Sequence, residues 1–102
     1  MKVLLHVSNL EQISRMQANI ENLFKEDSNV IINVVANGEA VNAFTESSNT
    51  VINQKVKYFI CANSLKSNKI SEKSIIKGLT VTSSGVYKIT LLQMDKYIYI
   101  KV

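Results

Sequence analysis

Val30-Ile31-Ile32-Asn33-Val34-Val35-Ala36-Asn37-Gly38 decides the fold of this chain. The first seven of these residues are β-branched or apolar except for Asn33, and the run then stops at Asn-Gly. A strand with one wet face alternates apolar and polar side chains. A nearly continuous apolar run belongs to a strand buried on both faces, inside a parallel sheet. Asn-Gly between two strands would signal a hairpin. Here Glu39-Ala40-Val41-Asn42-Ala43-Phe44 follows, a stretch of better helix formers, so Asn37-Gly38 reads as a strand-to-helix turn.

The same logic extends in both directions. Val3-Leu4-Leu5-His6-Val7 is too brief for a helix and reads as a second buried strand. Ser8 or Asn9 can then cap a helix. Ile13, Met16, Ile20, Leu23 and Phe24 recur at helical spacing and predict a helix over residues 10–26. Downstream, residues 45–50 read as a polar loop, with Val51 and Ile52 anchoring a short helical turn. Val56-Lys57-Tyr58-Phe59-Ile60-Cys61 is the third strand, and Ala62-Asn63-Ser64-Leu65 begins a short helix or turn. Asn63 and Ser64 would cap that turn. Leu79-Thr80-Val81 is a short fourth strand. Ser83-Ser84-Gly85 opens a helix carrying Val86, Ile89, Leu92 and Gln93, and Tyr97-Ile98-Tyr99-Ile100-Lys101-Val102 closes the chain as a strand. Alternation of strands and helices implies an α/β fold, with a mostly parallel sheet covered by helices on both faces.

The chain has 102 residues, which suits one domain spanning 1–102. Its net charge is +4, but the basic residues are dispersed and eleven of the twelve are lysine. Nucleic-acid binding predicts clustered charge with stacking aromatics, so no nucleic-acid partner is expected. The N-terminal apolar run is too short to span a membrane and lacks a signal-peptide cleavage pattern, so no membrane partner is expected either. A single cysteine forms no intrachain disulfide and suits a reducing, cytoplasmic setting. One cysteine and one histidine make no metal site, and no glycine-rich phosphate cradle is present, so neither a metal nor another cofactor is expected.

Open α/β sheets bind ligands outside the carboxyl ends of their strands. The strand ends place His6 to Asn9 there, with Ser8 among them, then Asn37 and Gly38, then Cys61, Ala62, Asn63 and Ser64, then Ser83, Ser84 and Gly85. Cys61, at the end of a strand and just before a helix, is close to free N–H groups that favour the thiolate. The alternative is a buried, inert cysteine. His6 is either a satisfied core residue or a proton donor near Cys61, the latter if the two strands are adjacent.

Together, Leu5-His6, VVANGEAV at 34–41, CANSL at 61–65, SSGV at 83–86 and LQ...Y.YIKV at 92–102 resemble the DsrE/DsrF-like proteins of sulfur metabolism, in their small single-domain branch. The resemblance implies a three-layer α/β/α fold on a five-stranded, mostly parallel sheet. It also implies self-association as trimers or hexamers. Cys61 stands where relatives carry persulfide sulfur after the third strand, which would make protein sulfur donors and acceptors its partners; His6 matches a recurrent position to which the family gives no role, and assistance in proton transfer is a reading of the residue itself. Asn37, Asn63 and Ser84-Gly85 match recurrent positions. Persulfide carriage is carrier chemistry more than turnover, so the resemblance does not decide whether the protein is an enzyme. The chain departs from the pattern at Lys96, where many relatives have glycine before the last strand, and at Leu91 and Leu92, where many carry arginine. The competing reading is a homo-oligomeric module that binds a small ligand or anion through Asn63, Lys66 and Ser84, with Cys61 structural.

Overall fold

The apolar run that decides the fold becomes the centre of the sheet. In the computed structural model, which describes residues 1–102, strand β1 is Lys2–Val7, β2 Ile31–Ala36, β3 Lys57–Cys61, β4 Thr80–Thr82 and β5 Ile98–Lys101. The order is β4-β3-β2-β1-β5 and every pair is parallel. β2 therefore lies between β1 and β3, and each of its last five residues is buried. The helices are α1 Ile13–Glu26, α2 Ala62–Ser67 and α3 Gly85–Met94, with 3₁₀ segments at Leu10–Gln12, Gly38–Phe44 and Glu72–Ser74.

The chain lays β2, β3 and β4 down on one side of β1, then crosses back to place β5 on the other. Right-handed crossovers put the helices of these two directions on opposite faces. The core divides accordingly. On one face α1, the segment Gly38–Phe44 and α2 cover Val3, Leu5, Val7, Ile32, Val34, Ala36, Tyr58 and Ile60 in a cluster of 18 buried residues. On the other, α3 alone covers Leu4 and Val35, and Leu92 is the third member of that small cluster. The result is a three-layer α/β/α domain, as the sequence predicts.

Three local expectations change. Residues 39–44 wind as a 3₁₀ helix. Val51 and Ile52 form no helical turn. The backbone N–H of Asn53 donates to the Tyr58 hydroxyl and the carbonyl of Val51 accepts from Gln17, so side chains use groups that a turn would need. The capping roles also shift. Asn9 occupies the cap position of the first 3₁₀ turn without a side-chain bond, and Ser8, the other candidate, turns its hydroxyl to Asn37.

Candidate functional site

Register sets which side chains share the carboxyl end of the sheet. Successive strand residues face opposite sides. β1 aligns His6 with Val35 of β2 and with Lys101 of β5, and β2 aligns Ala36 with Ile60 of β3. One residue further on, Asn37 and Cys61 are lateral neighbours on the face that α3 covers. His6 lies on that face too, one strand beyond Asn37. β1 and β3 are not adjacent, so Asn37 stands between the imidazole and the thiol.

Gly38 closes the strand. Its φ is 55°, and a Cβ there would lie 3.0 Å from the Ser8 carbonyl oxygen. Glycine meets both demands, the left-handed turn and the close approach. Its N–H donates to Ser64 Oγ at 2.8 Å, which leaves the Ser64 hydroxyl proton for another acceptor. Ser64 thus ties two strand ends together and does not cap α2. Cys61 itself takes the cap position. Ser84 does cap a helix: its hydroxyl oxygen accepts from the backbone N–H of Tyr87 at the start of α3.

The Cys61 thiol is 5% exposed. Burial pushes its pKa up, but the Ser64 hydroxyl and the backbone N–H groups of Ser64, Gly85 and Asn63 outweigh that cost. The thiol ends below its ordinary range. Gly85 permits this convergence. A Cβ on it would lie 3.2 Å from Cys61 Cβ, 3.4 Å from Asn37 Cβ and 3.5 Å from a Val35 methyl.

Beside the thiol lies a polar network that the sequence signals only in part. His6 Nε2 is 2.9 Å from Asn37 Oδ1 and 3.2 Å from Ser8 Oγ, Ser8 Oγ donates to Asn37 Oδ1 at 2.7 Å, and His6 Nδ1 is 2.6 Å from the Tyr99 hydroxyl. Burial lowers the His6 pKa, the Asn37 hydrogen bond opposes this, and the positive charge of Lys101 lowers it further. Both ring nitrogens are engaged within the chain, and neither is bonded to Cys61. Tyr99 is the member the sequence reading misses, while that reading places Ser8 at the strand end without this role. Tyr99 shares a strand face with Lys101, but only the placement of β5 beside β1 brings it to His6.

The structure thus brings His6, Asn37, Cys61, Ser64 and Gly85 into one cluster, with Gly38 holding its backbone. Ser84 is set at the adjoining helix start. Asn63 contributes its backbone N–H to Cys61, and it lines, with Lys66, a separate pocket of about 210 Å³. A further cavity of about 760 Å³ is a groove between α1 and residues 51–55 that includes none of these residues. No three His, Cys, Asp or Glu side chains converge as a metal centre. No helix is long and apolar enough to cross a membrane.

No family model matches the chain, and no curated protein matches it. Among solved structures, it is similar to MTH1491 of Methanobacterium thermoautotrophicum, a protein of unknown function. Identity is 26%, the TM-score 0.90, and the match covers 99% of this chain and 98% of that one. It is also similar to the ychN protein of E. coli, at 12% identity and a TM-score of 0.74, over 100% of both chains. The present chain shares the fold of both.

Proposed function

We propose that this chain is a sulfur-relay protein of the DsrE/DsrF-like type, with Cys61 as the carrier. The observation that carries this reading is the set of donors around one thiol. The Ser64 hydroxyl and three backbone N–H groups offset the cost of burial and favour the thiolate, the form that attacks sulfur. The Cys61 thiolate attacks the outer sulfur of a donor persulfide, R–S–S–H. A bond forms between Cys61 Sγ and that sulfur, and the donor's S–S bond breaks. Its electron pair leaves on R–S⁻, which takes a proton from water. Cys61 then carries –S–S–H, and no net oxidation has occurred. Delivery repeats the step with an acceptor thiolate. Donor and acceptor are therefore proteins with reactive thiols, and a reducing compartment such as the cytoplasm suits a free thiol of this kind.

Self-association belongs to the same proposal. Val86, Tyr87, Leu91 and Met94 of α3 and Ile98 and Tyr99 of β5 are all exposed, Met94 at 76% and Val86 at 67%. An apolar helix flank beside an open sheet edge is the kind of surface a subunit contact covers. A trimer or hexamer built on it would bring several Cys61 sites together.

One observation favours the second reading, a ligand- or anion-binding module with a structural cysteine: Cys61 is only 5% exposed. The test is the pH dependence of Cys61 alkylation in the native protein, followed by intact mass after incubation with a persulfide donor. Alkylation with a thiol pKa below the free value, and a mass gain of one sulfur that Cys61→Ser abolishes, is the expected result. A thiol that labels only after unfolding would overturn the relay and leave the binding module.

A further inference from the structure

Residues 51–55 pass α1 without forming helix or strand, and the gap between them is the groove of about 760 Å³. Gln17, Ile20, Phe24 and Lys25 recur at helical spacing, so one flank of α1 makes a wall of it. Residues 51–55 make the other wall, and Tyr58 of β3 also lines the groove. The loop is tied to α1 at two points about two helical turns apart. Gln17 Nε2 donates to the Val51 carbonyl at 3.3 Å, and Lys55 Nζ stands 5.8 Å from the centroid of the Phe24 ring. Asn53 closes the loop's own turn: its Oδ1 accepts from the Lys55 N–H at 2.9 Å and its carbonyl from the Val56 N–H at 3.1 Å. These ties hold the two walls apart at a fixed width.

The lining has a definite chemistry. Ile20 and Tyr58 are each 2% exposed, and Phe24 and Ile52 are half-buried, so much of the surface is apolar. The Tyr58 hydroxyl oxygen accepts from the Asn53 N–H at 3.0 Å, its one hydrogen bond within the chain. A phenol donates as well as accepts, so a buried proton is left for an acceptor in the groove. Burial pushes the Tyr58 pKa above 10.0, which keeps that proton in place at neutral pH. Lys25, Lys55 and Glu21 complete the rim. None of the three is ion-paired, since the one salt bridge of the chain joins Lys2 to Asp95. Two cations against one anion leave the rim positive.

We propose that this groove binds a small apolar carboxylate, whose body lies on Ile20, Phe24 and Ile52 and whose carboxylate accepts from the Tyr58 hydroxyl beside Lys25 and Lys55. The cavity falls within the roughly 300–1,000 Å³ of small-molecule sites. An apolar lining with a few placed polar groups is also their usual make-up. The apolar surface selects the body, and the free hydroxyl proton selects an acceptor. The positive rim selects an anion over an amine of the same shape. The groove lies on the face that α1 covers, opposite Cys61, so the site goes beyond the sulfur relay and does not rest on it.

The test is a titration of the full chain with naphthoate, followed by ¹H–¹⁵N NMR. Saturable shifts confined to α1 and residues 51–58 are the expected result. Naphthylmethylamine, the same ring system with the opposite charge, should bind about tenfold more weakly. Tyr58→Phe keeps the ring and removes the donor, and should weaken naphthoate by about tenfold. Lys25→Gln and Lys55→Gln should each weaken it by about threefold, and Glu21→Gln should tighten it by about as much, the modest effects of exposed charges. All three positions are exposed, so they keep the test open where Tyr58→Phe fails to fold. Cys61→Ser should bind naphthoate as the wild type does. No shifts in the groove at the solubility limit of naphthoate would overturn the proposal. So would equal binding of the amine, or an affinity that neither Tyr58→Phe nor the charge variants change. A chain that binds naphthoate in this way but accepts no sulfur would sink the relay and leave the groove standing.

Discussion

The two faces of the sheet are built to different standards. The face under α1, α2 and the segment Gly38–Phe44 buries 18 residues in one cluster, while the cluster on the face under α3 has three. α1 carries an apolar stripe and a polar back. α3 has apolar residues all round, and Val86, Tyr87, Leu91 and Met94 are left in solvent. The same thin face carries His6, Asn37, Cys61 and Tyr99. One side of the sheet holds the domain together. The other spends its positions on a polar site and a surface fit for a partner.

Truncating one large side chain on each face gives the sharpest test of this division. Phe44 is fully buried and stacks near Tyr58, with ring centroids 5.9 Å apart. Phe44→Ala should cost about 3–5 kcal/mol in a denaturant titration. Leu92, 6% exposed in the small cluster, should cost about 2–3 kcal/mol as alanine, near the low end for its type. Equal losses would mean that α3 contributes as much to the core as α1 does.

Gly85→Ala comes next and strikes the thin face at its tightest point. The new methyl would stand 3.2 Å from Cys61 Cβ and 3.4 Å from Asn37 Cβ, so the Cys61 strand end must give by a few tenths of an ångström while Asn37 is met at the edge of ordinary contact. A loss of about 1–3 kcal/mol is expected from overpacking. Alkylation of Cys61 should change with it, because the Gly85 N–H is one of the donors holding the thiol down. A stable variant with unaltered alkylation would show that the site tolerates movement.

The same contrast explains what the sequence revealed. The thick face was legible because burial writes itself as periodicity: β2 as an unbroken apolar run, α1 as a stripe at helical spacing. The strand-end rule also found Cys61, Asn37, Gly38, Ser64 and Gly85, since each follows an apolar strand. Tyr99 was not legible. Its role depends on β5 lying next to β1, and strand order leaves no mark in local sequence. The separation of His6 from Cys61 by one strand was hidden for the same reason. Ser8 was visible as a strand-end residue, but its service to Asn37 needed the register.

Lys96 links sequence and structure at a smaller scale. The resemblance marks it as a departure from glycine, and its φ is 66°, a left-handed conformation between α3 and β5. A side chain there costs about 1–2 kcal/mol. Lys96→Gly should therefore stabilise the domain by about 1 kcal/mol, less than the full strain because glycine also frees the unfolded chain. Thermal unfolding would read it. No gain would mean that the Lys96 side chain offsets its own strain by packing on the thin face.

The last comparison is a slope with pH, and the two faces bend it in opposite senses. On the thin face, His6 is lowered below its ordinary 6.5. The unfolded chain takes up that proton first, so stability falls as pH drops through about 6.5 and levels once folded His6 is also protonated. Cys61 is lowered as well, from 9.0. Its contribution is full above that value and is lost as pH falls through the folded pKa. Both groups make the protein less stable toward acid. On the thick face, burial raises Tyr58 above 10.0, although the Asn53 N–H partly opposes it. Its contribution is full below 10 and is lost as pH rises from there. Denaturant midpoints across this range should therefore rise from acid to mildly alkaline pH and turn down beyond it. His6→Gln should flatten the acid limb, Cys61→Ser the rise toward pH 9, and Tyr58→Phe the final fall. If Cys61→Ser leaves the middle limb unchanged, the thiol is not held below its ordinary range. The donors converging on it would then be backbone ends of α2 and α3 that happen to meet there.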